Sequence, residues 1–211
     1  MRDDLVIHRP AATTPDGRLL LLFHGVGSNA DDLRPLGESL ATRDAQAWVV
    51  SVRSPDPCDL GRGWQWFSVQ GVDEVNRPSR VAAAMPRFVD AVRAWQRASG
   101  TDAQDTTLIG FSQGAIMALE STQIREPVSA RVIALAGRFA QAPRRAPAGV
   151  ALHLLHGTQD AVIPATLAAD AAERWRALGG TATLDLWPGL GHGIDARVVQ
   201  RVAEHLATPT P

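Results

Sequence analysis

The sequence has no lysine, no tyrosine and only one cysteine, Cys58. The first absence excludes Schiff-base chemistry on a lysine side chain, and the second excludes a tyrosine as a general acid. A single cysteine forms no internal disulfide and supplies no cysteine set for zinc, so we expect a reducing, cytoplasmic setting. All 21 Lys-or-Arg positions are arginine. We interpret this as compositional bias and not as a sign of function.

Net charge and long apolar runs are also scarce. The 21 basic and 22 acidic residues leave a formal net charge of −1, which gives no electrostatic basis for binding nucleic acid or an anionic membrane. No apolar run exceeds that of residues 19–23, and about 20 residues are needed to cross a bilayer. The first ten residues contain two acids and no apolar signal segment. We therefore expect no membrane insertion.

The length of 211 residues suits one domain over residues 1–211, with a frayed tail at 208–211. Monomer and homodimer both stay open. Five apolar segments of about six residues read as strands covered on both faces: 18–23, 47–52, 106–111, 131–136 and 150–155. Residues 181–187 alternate, which indicates a strand near an edge.

Helical periodicity separates these strands. It covers residues 81–95, where Pro86 is expected to kink or perturb the helix, and also residues 167–178 and 198–206. Strands that alternate with helices predict an α/β fold, in which helices cover both faces of a mostly parallel sheet.

Ser112 stands in G-F-S-Q-G, residues 110–114, between a predicted strand and a helix over 113–120. In a nucleophile elbow the serine adopts an unusual backbone conformation, and residues two positions away must be small because backbones crowd there. Alone, the pattern also fits an ordinary glycine-rich connection. Its position between a strand and a helix favours Ser112 as an exposed nucleophile.

A serine hydroxyl needs a base, and in this architecture the partners follow in the order serine, acid, histidine. Asp160 lies in the loop after the strand at 150–155, and His192 lies in the loop after the strand at 181–187. The carboxyl ends of parallel strands meet at one edge of a sheet. We therefore predict a triad of Ser112, Asp160 and His192.

Other residues compete for two of these roles. Asp160 also suits a cap for a helix that starts near residue 164. Asp185 is inside a strand and Asp195 follows the histidine, so both fit the acid's role less well. Of the other histidines, we expect His153 in the core or the sheet, His156 in a structural role before a glycine turn, and His205 at the surface.

The segment F-H-G-V-G-S-N-A, residues 23–30, follows the first predicted strand. Acyl transfer needs N–H donors aimed at an oxyanion, and we predict the backbone N–H groups of Val26 and Gln113. The segment also matches the dinucleotide fingerprint G-x-G-x-x-G/A, and Arg53 would suit a 2′-phosphate. The acidic residue expected about 20 positions on is missing, and this alternative leaves the serine, aspartate and histidine loops unexplained.

The connection over residues 54–79 is long and irregular, which is typical of a functional loop. Trp64, Trp66 and Phe67 are candidates to line an acyl or alcohol groove. Packing of the loop onto the protein body is the alternative, with equal weight for Trp66 and Phe67.

The motifs H-G-V-G, G-F-S-Q-G-A, H-G-x-x-D-x-V-I and G-H resemble the carboxylesterase/phospholipase group of α/β-hydrolases, which includes acyl-protein thioesterases and lysophospholipases. The resemblance covers nearly the whole chain. It implies a compact α/β-hydrolase without a cap, the triad and oxyanion hole named above, no metal and no cofactor.

The resemblance also implies a small-molecule ester as substrate, often with a short acyl chain. Thioesterase or lysophospholipase activity with the same triad, and a catalytically silent binding protein of the same fold, remain alternatives. Many relatives have aspartate at position 28, where Ser28 would still cap the next helix.

Overall fold

The computed structural model describes residues 3–11 and 17–208, so residues 209–211 of the predicted frayed tail lie outside it. Within the described residues the main sheet has seven strands: β1 Leu5–His8, β2 Arg18–Phe23, β3 Ala47–Val52, β6 Thr106–Phe111, β7 Arg131–Leu135, β8 Ala151–Gly157 and β9 Thr181–Trp187. The short strands β4 Asp56–Pro57 and β5 Trp64–Gln65 form a separate hairpin.

The strands of the main sheet lie in the order β1-β3-β2-β6-β7-β8-β9. Only β1 is antiparallel to its neighbour, and all other pairs are parallel. The predicted mostly parallel α/β fold is confirmed. The alternating strand, β9, lies at an edge as expected. The antiparallel strand β1 at the opposite edge was not anticipated.

The described residues form five α-helices, of which the first four connect strands and the fifth follows β9: α1 Arg34–Ala41, α2 Arg77–Ser99, α3 Gln113–Glu120, α4 Thr166–Ala177 and α5 Ala196–Ala207. Short 3-10 helices occupy Ala30–Leu33 and Ser121–Gln123. Buried side chains of α2, α3 and α4 share one core cluster, and those of α1 and α5 share the other. The two clusters lie on opposite faces of the sheet, as the alternation of strands with helices predicted.

Strand β2 shows why its apolar run is continuous. Leu19, Leu21 and Phe23 belong to the cluster on the α2–α3–α4 face. Leu20 and Leu22 belong to the cluster on the α1–α5 face. Because successive side chains point to opposite faces, a strand covered on both sides needs an apolar residue at every position. Each leucine buried in this way contributes about 2 kcal/mol through the hydrophobic effect.

Helix α2 continues through Pro86 without a break. Proline donates no backbone hydrogen bond, so the carbonyl of Ala82 loses its helical partner. Both residues are on the exposed face of α2, where water is able to hydrate that carbonyl. The cost that a buried proline would impose is thereby reduced.

The prediction that His205 lies at the surface is wrong. Helix α5 turns His205 toward the sheet, where it is 5% exposed and its Nε2–H donates to Asp185 Oδ2 at 2.7 Å. Its ring centroid lies 4.1 Å from that of His153, a buried residue of β8 whose Nδ1 is hydrogen-bonded to Thr183 Oγ1. The predicted core or sheet position of His153 is confirmed.

Both buried imidazoles resist protonation. The pKa of His153 is lowered to about 3, mainly by burial and to a smaller extent by the charges of His205, Arg131 and Arg201. Burial also lowers the pKa of His205, although the hydrogen bond to Asp185 opposes this effect. The pair is therefore neutral at pH 7.

We predict that acid destabilises the fold through His153. An unfolded histidine binds its proton near pH 6.5, whereas folded His153 stays neutral down to about pH 3. The unfolded state therefore binds more protons in this window, so the free energy of unfolding falls as the pH falls. From pH 7 to pH 5 this site should cost about 2 kcal/mol.

The measurement is urea unfolding of the wild type and of His153→Asn at pH 8, 7 and 5. Asparagine retains a polar partner for Thr183 but binds no proton, so the variant should lose about 2 kcal/mol less between pH 7 and pH 5. The interval from pH 8 to pH 7 is the control, because folded His153 takes up no proton there and the unfolded histidine takes up only about a fifth of one. Equal losses in the two proteins between pH 7 and pH 5 would contradict the prediction.

Candidate active site

Ser112 occupies the sharp turn between β6 and α3, with φ 52° and ψ −115°. A positive φ is uncommon for a residue other than glycine and costs about 1–3 kcal/mol of strain. Hydrogen bonds on both sides hold the turn: Ser112 N donates to Leu135 O at 3.0 Å, and Ile116 N donates to Ser112 O at 3.1 Å. The elbow is thus tied to strand β7 and to the first turn of α3.

The two glycines of the motif are required by close backbone contacts. A Cβ atom at Gly114 would lie 2.1 Å from Phe23 O, at the end of β2. A Cβ atom at Gly110 would lie 2.5 Å from the carbonyl group of Gly114. No side chain fits at either position without movement of the backbone. The crowding expected from the sequence motif is present.

Ser112, His192 and Asp160 form a continuous hydrogen-bonded chain. The Ser112 hydroxyl donates to His192 Nε2 at 2.9 Å, and His192 Nδ1–H donates to Asp160 Oδ2 at 2.7 Å. The loops after β6, β8 and β9 supply the three side chains from one edge of the sheet. An imidazole that accepts a hydroxyl proton and is oriented by a carboxylate is able to serve as a general base.

Asp160 is buried and receives four hydrogen bonds. Its Oδ1 accepts from Val162 N and Ile163 N, both at 2.8 Å. Its Oδ2 accepts from His192 and, at 3.0 Å, from His156 Nε2. Burial raises the pKa of Asp160, but these donors outweigh burial and hold the pKa below its usual value. The carboxylate is therefore ionised at neutral pH.

His156 is a contributor to the site that the sequence pattern did not reveal. Its Nε2 faces Asp160 Oδ2 and also Ile163 O, at 2.8 Å. Both atoms accept hydrogen bonds, so this nitrogen bears the proton. We predicted only a structural role for His156. The spacing of four residues in H-G-T-Q-D was the available signal, because it lets the imidazole reach back to the carboxylate.

The rival acids are engaged elsewhere. Asp185 accepts from His205 and from Arg201 Nε at 2.8 Å. Asp195 caps the start of α5 by accepting from the backbone N–H groups of Arg197 and Val198. Asp160 does not cap α4, which has no side-chain cap.

Gln113 follows Ser112 directly, and Val26 belongs to the loop after β2. A Cβ atom at Gly25 would lie 3.2 Å from Ser112 Cβ, so the loop after β2 packs against the elbow. Across residues 3–11 and 17–208, neither the Val26 nor the Gln113 backbone N–H is used in a hydrogen bond. Neither N–H therefore has a backbone acceptor among the described residues.

The side chain of Gln113 is hydrogen-bonded to the backbone of the loop before α2. Its Oε1 accepts from Trp66 N at 2.8 Å, and its Nε2 donates to Phe67 O at 2.7 Å. The side chain is buried, so it joins the residue after Ser112 to a segment 46 and 47 positions away. This role was not anticipated from the sequence.

The structure corrects the expectation that Trp66 and Phe67 line a groove. Trp66 is fully buried, and its ring centroid lies 5.9 Å from that of Phe23 and 5.1 Å from that of Phe88. Phe67 is 6% exposed. The packing alternative fits both side chains, because each joins the core cluster beneath α2. A fully buried ring presents no surface to a substrate.

Trp64 and Arg53 form a cation–π pair. The guanidinium carbon of Arg53 lies 3.7 Å from the centroid of the Trp64 ring, and Arg53 also forms a salt bridge with Asp3. These contacts account for Arg53 without a nucleotide phosphate.

The cap predicted for Ser28 is wrong: Asn29 caps the following 3-10 helix by accepting from the N–H of Asp31.

Among the described residues, no cluster of three His, Cys, Asp or Glu side chains has the arrangement of a metal site. None of the helices in this part of the chain is long and apolar enough to cross a membrane.

The chain is similar to known proteins over nearly its whole length. The family model for phospholipase/carboxylesterase proteins matches residues 5–210. Esterase YpfH of Escherichia coli (strain K12) is 45% identical over 209 residues, which is 99% of this chain and 89% of that protein. These matches confirm the resemblance expected from the motifs.

Solved structures agree on the fold. Esterase PE8 has a TM-score of 0.81 and 27% identity, covering 94% of this chain and 95% of that one. The Bacillus cereus carboxylesterase has a TM-score of 0.79 and 18% identity, covering 96% and 92%, and this second match shows similarity of fold alone.

We predict that Gly114→Ala destabilises the protein by about 1–3 kcal/mol, because the new methyl group would overlap the Phe23 carbonyl. Gly193→Ala is the matched control: a Cβ atom there meets nothing within 4 Å, and we expect a change below about 0.5 kcal/mol. Urea unfolding measures both values. Equal stability of the two variants would contradict the crowding argument.

Proposed function

The chain belongs to the phospholipase/carboxylesterase family of α/β-hydrolases and is therefore a hydrolase; we propose that it cleaves carboxylic esters through an acyl-enzyme on Ser112. The observation that supports this most directly is the chain of hydrogen bonds from Ser112 through His192 to Asp160. The strained elbow supports it further, since strain of this kind is retained where function requires it.

The reaction proceeds in two half-reactions at the Ser112 hydroxyl. Ser112 Oγ attacks the ester carbonyl carbon while its proton passes to His192 Nε2. The tetrahedral intermediate then collapses: the bond to the leaving oxygen breaks, His192 returns the proton to that oxygen, and an alcohol departs. Water next attacks the acyl-enzyme with His192 as general base, releasing a carboxylic acid and restoring Ser112.

Asp160 keeps His192 in the tautomer that this sequence requires. Its Oδ2 accepts from His192 Nδ1–H, so the lone pair of Nε2 faces the serine. When Nε2 gains a proton, the imidazolium lies beside an ionised carboxylate that stabilises it. His156 and two backbone amides hold the carboxylate in place.

The oxyanion of each tetrahedral intermediate is proposed to bind the backbone N–H groups of Val26 and Gln113. The contact between Gly25 and Ser112 and the free state of both amides support this assignment. Preorganised donors of this kind stabilise the charge that develops in the transition state more than they stabilise the substrate.

A short acyl chain is the proposed preference. Trp66 and Phe67, which would have offered an aromatic lining for a long chain, are buried in the core. Thioesters and lysophospholipids present the same carbonyl chemistry and differ in the leaving group or the chain length. A substrate series separates these alternatives from the short-chain oxyester.

We predict that Ser112→Ala abolishes hydrolysis of p-nitrophenyl esters, because no other hydroxyl takes its place beside His192. The measurement is kcat/KM for the acetate, butyrate, octanoate and palmitate esters with both proteins. Wild-type values should be greatest for the acetate or butyrate and fall with chain length. Hydrolysis that survives in the variant would show that Ser112 is not the nucleophile.

Labelling with a fluorophosphonate provides the control for this series. The wild type should be labelled at Ser112 and the variant should not, with equal melting temperatures. A folded wild type that is neither labelled nor active on oxyesters or thioesters would favour the catalytically silent alternative.

We predict that Asp160→Asn lowers kcat about 10⁴-fold, because a side-chain amide no longer enforces the productive tautomer of the histidine. Asp195→Asn is the matched control: asparagine also caps helices well, so activity and stability should stay close to wild type. Both variants are assayed with p-nitrophenyl acetate. A loss below tenfold at Asp160 would point to a different acid.

A further inference from the structure

A buried histidine outside the hydrogen-bonded chain lies at the start of the loop after β2. His24 is 1% exposed, and both of its ring nitrogens have partners. Nδ1 lies 2.7 Å from Gly25 O. Nε2 lies 3.1 Å from Ser54 N and 3.2 Å from Ser54 Oγ. The ring therefore joins the loop after β2 to the segment that follows β3.

These partners determine where the proton of the ring is. Ser54 N is a backbone N–H that only donates, so Nε2 must accept and bears no proton. Nδ1 then bears the proton of the neutral ring and donates it to the carbonyl of Gly25, which only accepts. Burial lowers the pKa of His24, which agrees with a neutral imidazole in this single tautomer.

The carbonyl that His24 holds belongs to the same peptide unit as the N–H of Val26. In a planar trans peptide the C=O and N–H bonds point in opposite directions. A donor that fixes Gly25 O on the imidazole side therefore directs Val26 N–H to the other side. Ser28 N makes a second, longer contact with Gly25 O, at 3.3 Å.

The peptide unit needs this restraint because of its position and its composition. Gly25 packs against Ser112 and has no side chain to limit its backbone angles. A rotation of the Gly25–Val26 peptide would replace the N–H with a carbonyl and would remove a donor from the serine. His24 is buried and both of its ring nitrogens are hydrogen-bonded, so it is held where it prevents such a rotation.

We propose that His24 is a positioning residue for the oxyanion site: its Nδ1–H holds the Gly25 carbonyl and thereby aims the Val26 N–H at the carbonyl oxygen of the substrate. This inference rests on the proposed ester hydrolysis at Ser112. It assigns to His24 a role in the transition state that is exerted through Val26 and without contact with the substrate.

The magnitude of the effect is bounded by the loss of one oxyanion donor, which costs about 10²–10³ in kcat. Without the restraint the peptide adopts both orientations. A fraction of the molecules then still presents the Val26 N–H to the substrate, so only part of the donor's contribution is lost. We expect a loss of kcat/KM between about tenfold and 10²-fold.

Two substitutions separate the two hydrogen-bonding ends of the ring. In His24→Asn the side-chain amide nitrogen takes the place of Nδ1 and retains the donor to Gly25 O. In His24→Gln the longer side chain retains an acceptor for Ser54 near the place of Nε2 and loses the donor to Gly25. We expect kcat/KM for p-nitrophenyl acetate within about fivefold of wild type for the first and a loss above tenfold for the second.

Inhibition by an alkyl trifluoromethyl ketone distinguishes positioning from general damage. The ketone forms an adduct with serine that bears an oxyanion, so its inhibition constant should rise in parallel with the loss of kcat/KM in His24→Gln and stay close to wild type in His24→Asn. Equal losses in both variants, or full activity of His24→Gln, would overturn the proposal.

A measurement on the wild type keeps the test independent of whether the variants fold. ¹⁵N NMR of the imidazole should show a protonated Nδ1 and an unprotonated Nε2 at His24, before and after the ketone binds. A proton on Nε2 would overturn the proposal. If the wild type shows no hydrolysis that depends on Ser112, the proposed function itself is overturned, and this inference with it.

Discussion

The Asp160 carboxylate is the group on which the rest of the site depends. A carboxylate without contact with water is unfavourable unless donors replace the solvent. The fold provides them from three sources: two backbone N–H groups of its own loop, one imidazole from the end of β8 and one from the loop after β9. The last of these, His192, is the one that reaches Ser112. The requirement for solvation of a buried charge and the requirement for orientation of the base are thus met by the same contacts.

The sheet brings these loops together because its strands are parallel. Strands β6, β8 and β9 end at one edge, and the side chains that follow them converge there although they are far apart in the sequence. The elbow at Ser112 is strained, and the strain persists because backbone from β2, β7 and α3 surrounds it. Crowding at the elbow also explains why glycine occupies the positions two residues before and two residues after the serine.

The sequence was sufficient for the features that depend on local pattern. Apolar runs located five strands of the main sheet, and alternation located β9. Periodicity located α2, α4 and α5. The loops after the strands located Ser112, Asp160 and His192, which the structure joins by hydrogen bonds. Features that depend on remote partners were missed. Trp66 belongs to the core because Phe23 and Phe88 enclose it, and nothing in the irregular loop around Trp66 indicates those neighbours.

The same limit applies to charged and polar residues. His205 continues the spacing of Val198 and Val202 along the buried face of α5. A polar imidazole on that face is explained only by its pairing with Asp185. His24 follows an apolar strand and precedes a glycine, a context that marks a turn and gives no sign of the contact with Ser54. Tertiary contacts of this kind are set by the register between distant strands, which a single sequence does not display.

The backbone and the side chain of Gln113 have separate roles, and this limits what mutations at this position are able to reveal. Its backbone N–H is one of the two oxyanion donors proposed above, while its side chain is hydrogen-bonded to the backbone of Trp66 and Phe67. Replacement of the side chain leaves the N–H in place for every amino acid except proline. Natural or engineered alleles at this codon, proline excepted, would thus report how the side chain holds the loop in place. They would not report what the backbone N–H contributes.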